Sequence, residues 1–256
     1  MLPARPALLP GVPVVRRDEQ HLQVGIDPPR RAVVDDDPDV RHLLAALRVG
    51  AAPAPVSEAG HRALTRLADA GLLDDLDRRD ERSAARGRVT VGVDAPADLT
   101  QPVVDRLRAV GLTGTTGAAQ PGVVLVLRDG PVPRRHLDRW VREGTPHLLL
   151  ETEPGATTVG PFVEPGRTAC VRCVDAHLEL ADPRRALLLE QVDVAVPRDP
   201  ALHAVALAWA ASDLVAWAEG RSPSTWSATV RIDADLDVRR LAWGRHPGCG
   251  CAWDSL

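Results

Sequence analysis

Four cysteines constrain this chain more than any other feature, because they fall in two close pairs about 75 residues apart: Cys170 with Cys173 in CVRC, and Cys249 with Cys251 in GCGC. A two-residue gap lets both sulfurs of the first pair face one ion from a tight turn, and the glycines around the second let the backbone bend about a one-residue gap. Four thiolates close a tetrahedral shell and leave no position for water, so the expected site is a structural zinc that ties the middle of the chain to its C-terminal region. The residues leave open two other readings, four reduced cysteines without metal or a redox pair. His177 and His246 could substitute as ligands, and each is expected beside the shell instead.

The net charge is −4 and all 31 basic residues are arginine, since the sequence has no lysine. The arginines alternate with acids, as in Arg78, Arg79, Asp80, Glu81 and Arg82. That pattern makes a solvated, mixed-sign surface and argues against the basic stripe that duplex binding requires. The apolar run Ala7 to Leu9 is broken by Pro6 and Pro10, so no signal-peptide core is expected and a cytoplasmic protein is. Ala201 to Ala218 is long and apolar but contains His203, Ser212 and Asp213, which points to a core helix and not a membrane span.

Residues 13–26 read as a hairpin, and RAVVDD after Pro28 and Pro29 as a third short strand. Asp37 and Pro38 begin a helix with Val40, Leu43, Leu44 and Leu47 at helical spacing; Ser57 caps a second that buries Leu64 and Leu67 and stops at Gly71. This predicts a winged-helix-like module over residues 1–75. The segment 76–87, too charged for a core, reads as a linker. From 88 onward, apolar strands at 88–93, 123–127 and 147–151 alternate with helices at 99–112 and 134–142, the pattern of a parallel Rossmann-like sheet. STWSATVRID and DLDVRRLAW read as an antiparallel pair leading to the second cysteine pair.

The run VVLVLRDGPVPRRHLDRWVREGTPHLLLETEPGATTVGPFVEPGRTACVRCVDAH resembles the central part of ThiF-like proteins, relatives of ubiquitin-activating enzymes. GPFVEPGRTACVRCVD and HPGCGC resemble, more narrowly, the ThiF-like "cyclodehydratase" or leader-peptide-binding subunits of thiazole/oxazole-modified microcin clusters. The resemblance covers about residues 88–256 and implies a truncated ThiF-like α/β domain with a four-cysteine zinc site. The module at 1–75 resembles the peptide-recognition element that such proteins carry in front.

Adenylating members of that family need a glycine-rich loop after the first strand, because backbone amides must approach the phosphates. Here the first strand is followed by DAPADLTQP, and Gly111, Gly114 and Gly117 follow a helix at the wrong spacing, as an ordinary loop would. Asp129 stands near the place of a catalytic aspartate in a poorly matching motif, LRDGP. ATP is therefore not expected to bind. The resemblance implies a non-catalytic subunit that holds the leader of a ribosomal precursor peptide and presents it to a YcaO-type ATP-dependent cyclodehydratase. An extended leader would add to the edge at Arg31 to Asp35, Val33 included, and pack against the helix bearing Leu64 and Leu67. A homodimer is expected from the apolar circumference of 201–218. Two other classes remain: an adenylate-forming enzyme with a divergent nucleotide site, and a DNA binder reading with His61, Arg62 and Arg66.

Overall fold

A computed structural model describes residues 3–51, 54–117, 120–189, 191–192 and 194–251. The chain divides into two units, Met1–Arg82 and Ser83–Leu256. In the first, β1 (Pro6–Leu8), β2 (Val14–Arg16), β3 (His21–Val24) and β4 (Ala32–Asp35) precede α1 (Pro38–Val49) and α2 (Glu58–Asp69), and β5 (Leu73–Asp75) follows. Strands β2, β3 and β4 form an antiparallel sheet in that order, and β1 pairs separately with β5. Asp37 caps α1 by accepting from the Asp39 amide at 2.8 Å, and Gly50 ends it with φ 69°. Ser57 Oγ caps α2 by accepting from the Gly60 amide. The Asp39 carboxylate ties the two helices together: it accepts from the Val56 and Ser57 amides and from Ser57 Oγ. Val24, Val34, Val40, Leu43, Leu47, Leu67 and Leu72 form the core between sheet and helices.

The segment expected to be a linker is ordered. Its start continues from β5 into α3 (Leu76–Arg88), a helix with no buried residue. Ion pairs hold it where apolar contacts do not: Arg5 meets Asp77 and Asp80, and Arg86 meets Glu219. The missing apolar surface says little about such a segment, because a helix laced by charges needs little of it.

The second unit runs β6 (Thr90–Asp94), α4 (Ala97–Ala109), β7 (Thr113–Thr115), β8 (Val123–Asp129), α5 (Arg134–Arg142), β9 (His147–Glu153), β10 (Ala156–Val163), α6 (Val171–Leu178), α7 (Arg185–Leu189), α8 (Pro200–Ala218), β11 (Ala228–Asp233) and β12 (Val238–Ala242). They make a seven-stranded sheet in the order β12-β11-β10-β9-β8-β6-β7. Strands β6 to β9 are parallel, and β10, β11 and β12 add antiparallel. The glycine segment expected to be a loop contributes β7, whose Gly114 sits close against Val104 and Leu107 of α4; a Cβ there would fall 3.2 Å from the Val104 Cα. Helix α4 begins and ends earlier than expected, at Ala97 and Ala109, because the chain reverses at Gly111 with φ 85°.

Both faces of the sheet are covered at β8 and β9, which explains their unbroken apolar runs. Val123, Leu125 and Leu127 share a core with Leu202, Ala206, Ala210 and Leu214 of α8, while Val124 and Val126 on the opposite face pack with Leu137 of α5 and Val171 of α6. Helix α8 is long and apolar enough by length and composition to cross a membrane, but eight of its residues are buried in the unit, as a core helix requires. The β9–β10 register shifts between Val159 and Phe162. Gly160 makes that irregularity possible with φ 97°, and a Cβ there would lie 2.4 Å from the Ala228 carbonyl.

Candidate metal centre and sheet edge

After β10, the Thr168 hydroxyl accepts from the Glu164 amide and Ser227 Oγ accepts from the Ala169 amide, which delivers Cys170 to the start of α6. CVRC was expected in a tight turn; it forms the first turn of a helix, with Cys170 at the cap and the Cys173 amide bonded to the Cys170 carbonyl at 2.9 Å. Both sulfurs then project from a helix N-terminus, 3.8 Å apart, where the backbone dipole favours negative charge. The second pair is built on a 3-10 turn, Pro247–Cys249, capped by His246 Nδ1, which accepts from the Gly248 amide. Gly250 with φ 72° turns Cys251 back toward α6.

The two pairs interlock: Cys170 Sγ lies 3.3 Å from Cys249 Sγ, Cys173 Sγ lies 3.4 Å from Cys251 Sγ, and all four sulfurs are within 4.8 Å of one another. Zinc–sulfur bonds of about 2.3 Å in a tetrahedron put sulfurs about 3.8 Å apart, so donor set and spacing fit a metal. Among the described residues this is the one such group of three or more His, Cys, Asp or Glu ligand atoms. Without a cation the thiols share charge unevenly. The hydrogen bond from Cys170 draws the Cys173 thiol down to about 4 and pushes Cys170 up, while burial pushes Cys249 up to about 12. A divalent cation would displace the remaining protons.

The histidines stand beside the cysteines. His177 Nε2 lies 3.0 Å from the Gly244 carbonyl, and the two imidazoles meet edge to face at 5.0 Å. Arg134, buried, braces the centre by donating twice to Asp175 of α6, at 2.6 and 2.9 Å, and once to the Val132 carbonyl. A cavity of about 380 Å³ opens beside the cysteines, with Leu137, Val141 and Val171 among its lining. His147 is fully buried at the same place; burial holds its imidazole below the usual range.

In the first unit, the sulfur-free candidates separate into edge and core. The Asp36 amide donates to the Gln20 carbonyl, continuing the ladder that pairs His21 with Asp35 and Leu22 with Val34. Antiparallel alternation then gives Ala32 and Val34 the bonds to β3, and turns the N–H and C=O of Val33 and Asp35 to the open edge. Helix α2 lies beside that edge: Arg66 Nη1 donates to the Val33 carbonyl at 3.0 Å and Arg62 pairs with the Asp35 carboxylate at 3.2 Å. These two arginines, considered in sequence for DNA, are therefore engaged with the sheet edge. Arg31 is exposed just before β4. Leu67 is fully buried and Leu64 is 9% exposed, so both serve the core and offer little surface to a ligand.

The parallel strands reverse order between β6 and β8, the crevice where open α/β sheets bind ligands. It is bridged from within: Arg128 donates to the Asp94 carboxylate at 2.7 Å and to its carbonyl at 2.9 Å. At the start of α4, Pro96 provides no side-chain cap and Asp98 is held by Arg198, which also reaches Asp129 at 2.9 Å. Gly111, Gly114 and Gly117 lie around β7, outside the loop that follows β6.

No family model and no curated protein matches the sequence. Solved structures do match in fold. A heterocyclase in complex with substrate and cofactor has a TM-score of 0.72 at 14% identity, covering 96% of this chain and 39% of that one. The heterocyclase TruD has 0.70 at 15%, covering 98% and 43%. The microcin C7 biosynthetic enzyme MccB in complex with N-formylated MccA has 0.62 at 13%, covering 96% and 99%, and E. coli MccB has also been solved with ATP. The chain thus spans about two fifths of the heterocyclases it matches and nearly all of MccB. It has the mixed α/β fold that the ThiF-like resemblance implied, the fold shared by these heterocyclases and MccB.

Proposed function

We propose that this chain is a non-catalytic leader-binding and scaffold subunit of azoline biosynthesis, which presents a ribosomal precursor peptide to a YcaO-type ATP-dependent cyclodehydratase. The observation that carries the reading is the edge of β4, where Val33 and Asp35 direct their amides outward and the Val33 carbonyl is held by Arg66 of α2. An extended peptide gains ladder bonds at such an edge. MccB, of the same fold, is a biosynthetic enzyme solved with the peptide MccA. Residues 1–75 are then a winged-helix-like recognition module, the four cysteines hold a structural zinc, and the protein works in the cytoplasm as a homodimer. The test is titration of the full chain with the synthetic leader of a ribosomal precursor peptide from the same genome. Val33→Pro removes the outward amide and leaves the β3 ladder bonds in place, so binding is expected to vanish while circular dichroism is unchanged. A folded variant that binds normally overturns the edge assignment.

A second reading, an adenylate-forming enzyme, is favoured by the MccB structure with ATP. Against it stand the Arg128–Asp94 bridge in the crevice and the acidic first turn of α4, which oppose a triphosphate. Calorimetry with ATP and magnesium is expected to give no binding; a micromolar constant would establish the second reading.

A further inference from the structure

Strand β12 ends the seven-stranded sheet, and all five of its residues are exposed. That is unusual beside β11, whose alternate residues Ala228, Val230 and Ile232 are buried. Val238 and Leu241 on β12, and Leu236 in the turn before it, are 50–55% exposed. The ladder has a fixed phase. The Asp233 amide donates to the Asp237 carbonyl and the Trp243 amide to the Ser227 carbonyl. Arg239 and Leu241 therefore bond to β11, whereas Val238, Arg240 and Ala242 turn their N–H and C=O to the open edge.

Charge decides what fits there. Arg239 lies directly opposite Arg231 across the ladder. Arg231 is paired with Glu153 at 3.1 Å, and no described group pairs with Arg239. Arg240 folds back to the Ser224 carbonyl at 2.9 Å and keeps its charge. Two copies meeting through this edge would bring like charges together, which opposes self-pairing. A strand of opposite charge meets outward ladder groups, apolar side chains and a guanidinium that no described group compensates.

We infer that β12 is the docking edge for a partner polypeptide that adds an extended segment carrying Asp or Glu. The inference rests on the proposed function, which requires a partner enzyme, and names that enzyme's docking surface. The part shared with this fold is 39% and 43% of the matching heterocyclase chains, so the same fold occurs there joined to further polypeptide. Strand β4 is thereby left for the leader, and the two bindings are separable.

The test uses the full metal-bound chain and, as probe, a purified YcaO-type cyclodehydratase from the same genome, with association read by sedimentation and calorimetry and leader titration run in parallel. Arg240→Pro removes an outward donor while sparing the bonds to β11, and should abolish association. Arg239→Glu, which leaves the backbone intact, should weaken it by about tenfold or more and flatten its salt dependence. Arg106→Glu, on the exposed face of α4, should change neither. Leader binding should survive every substitution. The inference is overturned if folded Arg240→Pro and Arg239→Glu variants associate normally. It is equally overturned if the wild-type chain binds leader but ignores the enzyme, or if Arg240→Pro instead dissolves a homodimer. Loss of leader binding by the wild-type chain would strike the proposed function itself.

Discussion

At Cys173 the chemistry of the centre is concentrated, since it lies fully buried in the first turn of α6 and its thiol ionises most readily. Zinc should co-purify at about one ion per chain, and Cys173→Ser or Cys249→Ser should release it, because three thiolates hold the ion far less tightly than four. Elemental analysis of untagged protein checks both. Arg134→Ala should destabilise the second unit by about 3–5 kcal/mol, since it strands the buried Asp175 carboxylate; denaturant unfolding measures it. His147 adds a pH dependence. Its folded pKa is lowered by burial, so its contribution is complete above the unfolded value of about 6.5 and falls as pH drops below it, by at most about 1.4 kcal/mol per pH unit. Stability measured between pH 7 and 5 should show that slope in the wild type and a shallower one in His147→Gln, where His203, also held low by burial, still contributes. The cysteines were legible in sequence because spacing alone announces them. Arg66 was not: its partner is the Val33 carbonyl, 33 positions away, and nothing local distinguishes it from a solvated arginine.

Elements with strong local signals match their sequence reading. Asp37 with Pro38 and Ser57 start α1 and α2, and the apolar runs at 123–127 and 147–151 lie in buried strands. Those sustained from a distance were hidden. β1 and β5 are three residues each and stabilise one another across nearly seventy positions. Helix α3 depends on ion pairs, and β7 on the close approach of Gly114 to α4. CVRC starts a helix with Cys170 at the N-cap position and no side-chain capping bond, an arrangement that spacing cannot distinguish from a turn. At this scale Gly160→Ala should cost about 1–3 kcal/mol or more, since φ 97° strains any Cβ and the Ala228 carbonyl blocks it. Thermal unfolding checks this, and Gly144→Ala, at φ 67° with open space around it, should cost less.

As a whole molecule, the chain places its candidate metal centre in one unit and its candidate peptide edge in the other. The core of the first, around Leu47 and Leu67, shares no residue with the clusters of the second. Chelation should therefore speed hydrogen exchange in α6 and around Cys249 while leaving the amides of Val34 and Leu67 protected; mass spectrometry of exchanged peptides reads both. The cysteine pairs also order events during synthesis. Cys170 and Cys173 leave the ribosome as half of the candidate donor set, and the two sulfurs that complete it arrive 76 and 78 residues after Cys173, beyond α8 and both strands of the last hairpin. A nascent chain stalled or cleaved before Cys249 holds only half a site, so stable metal retention reports that translation has passed that point.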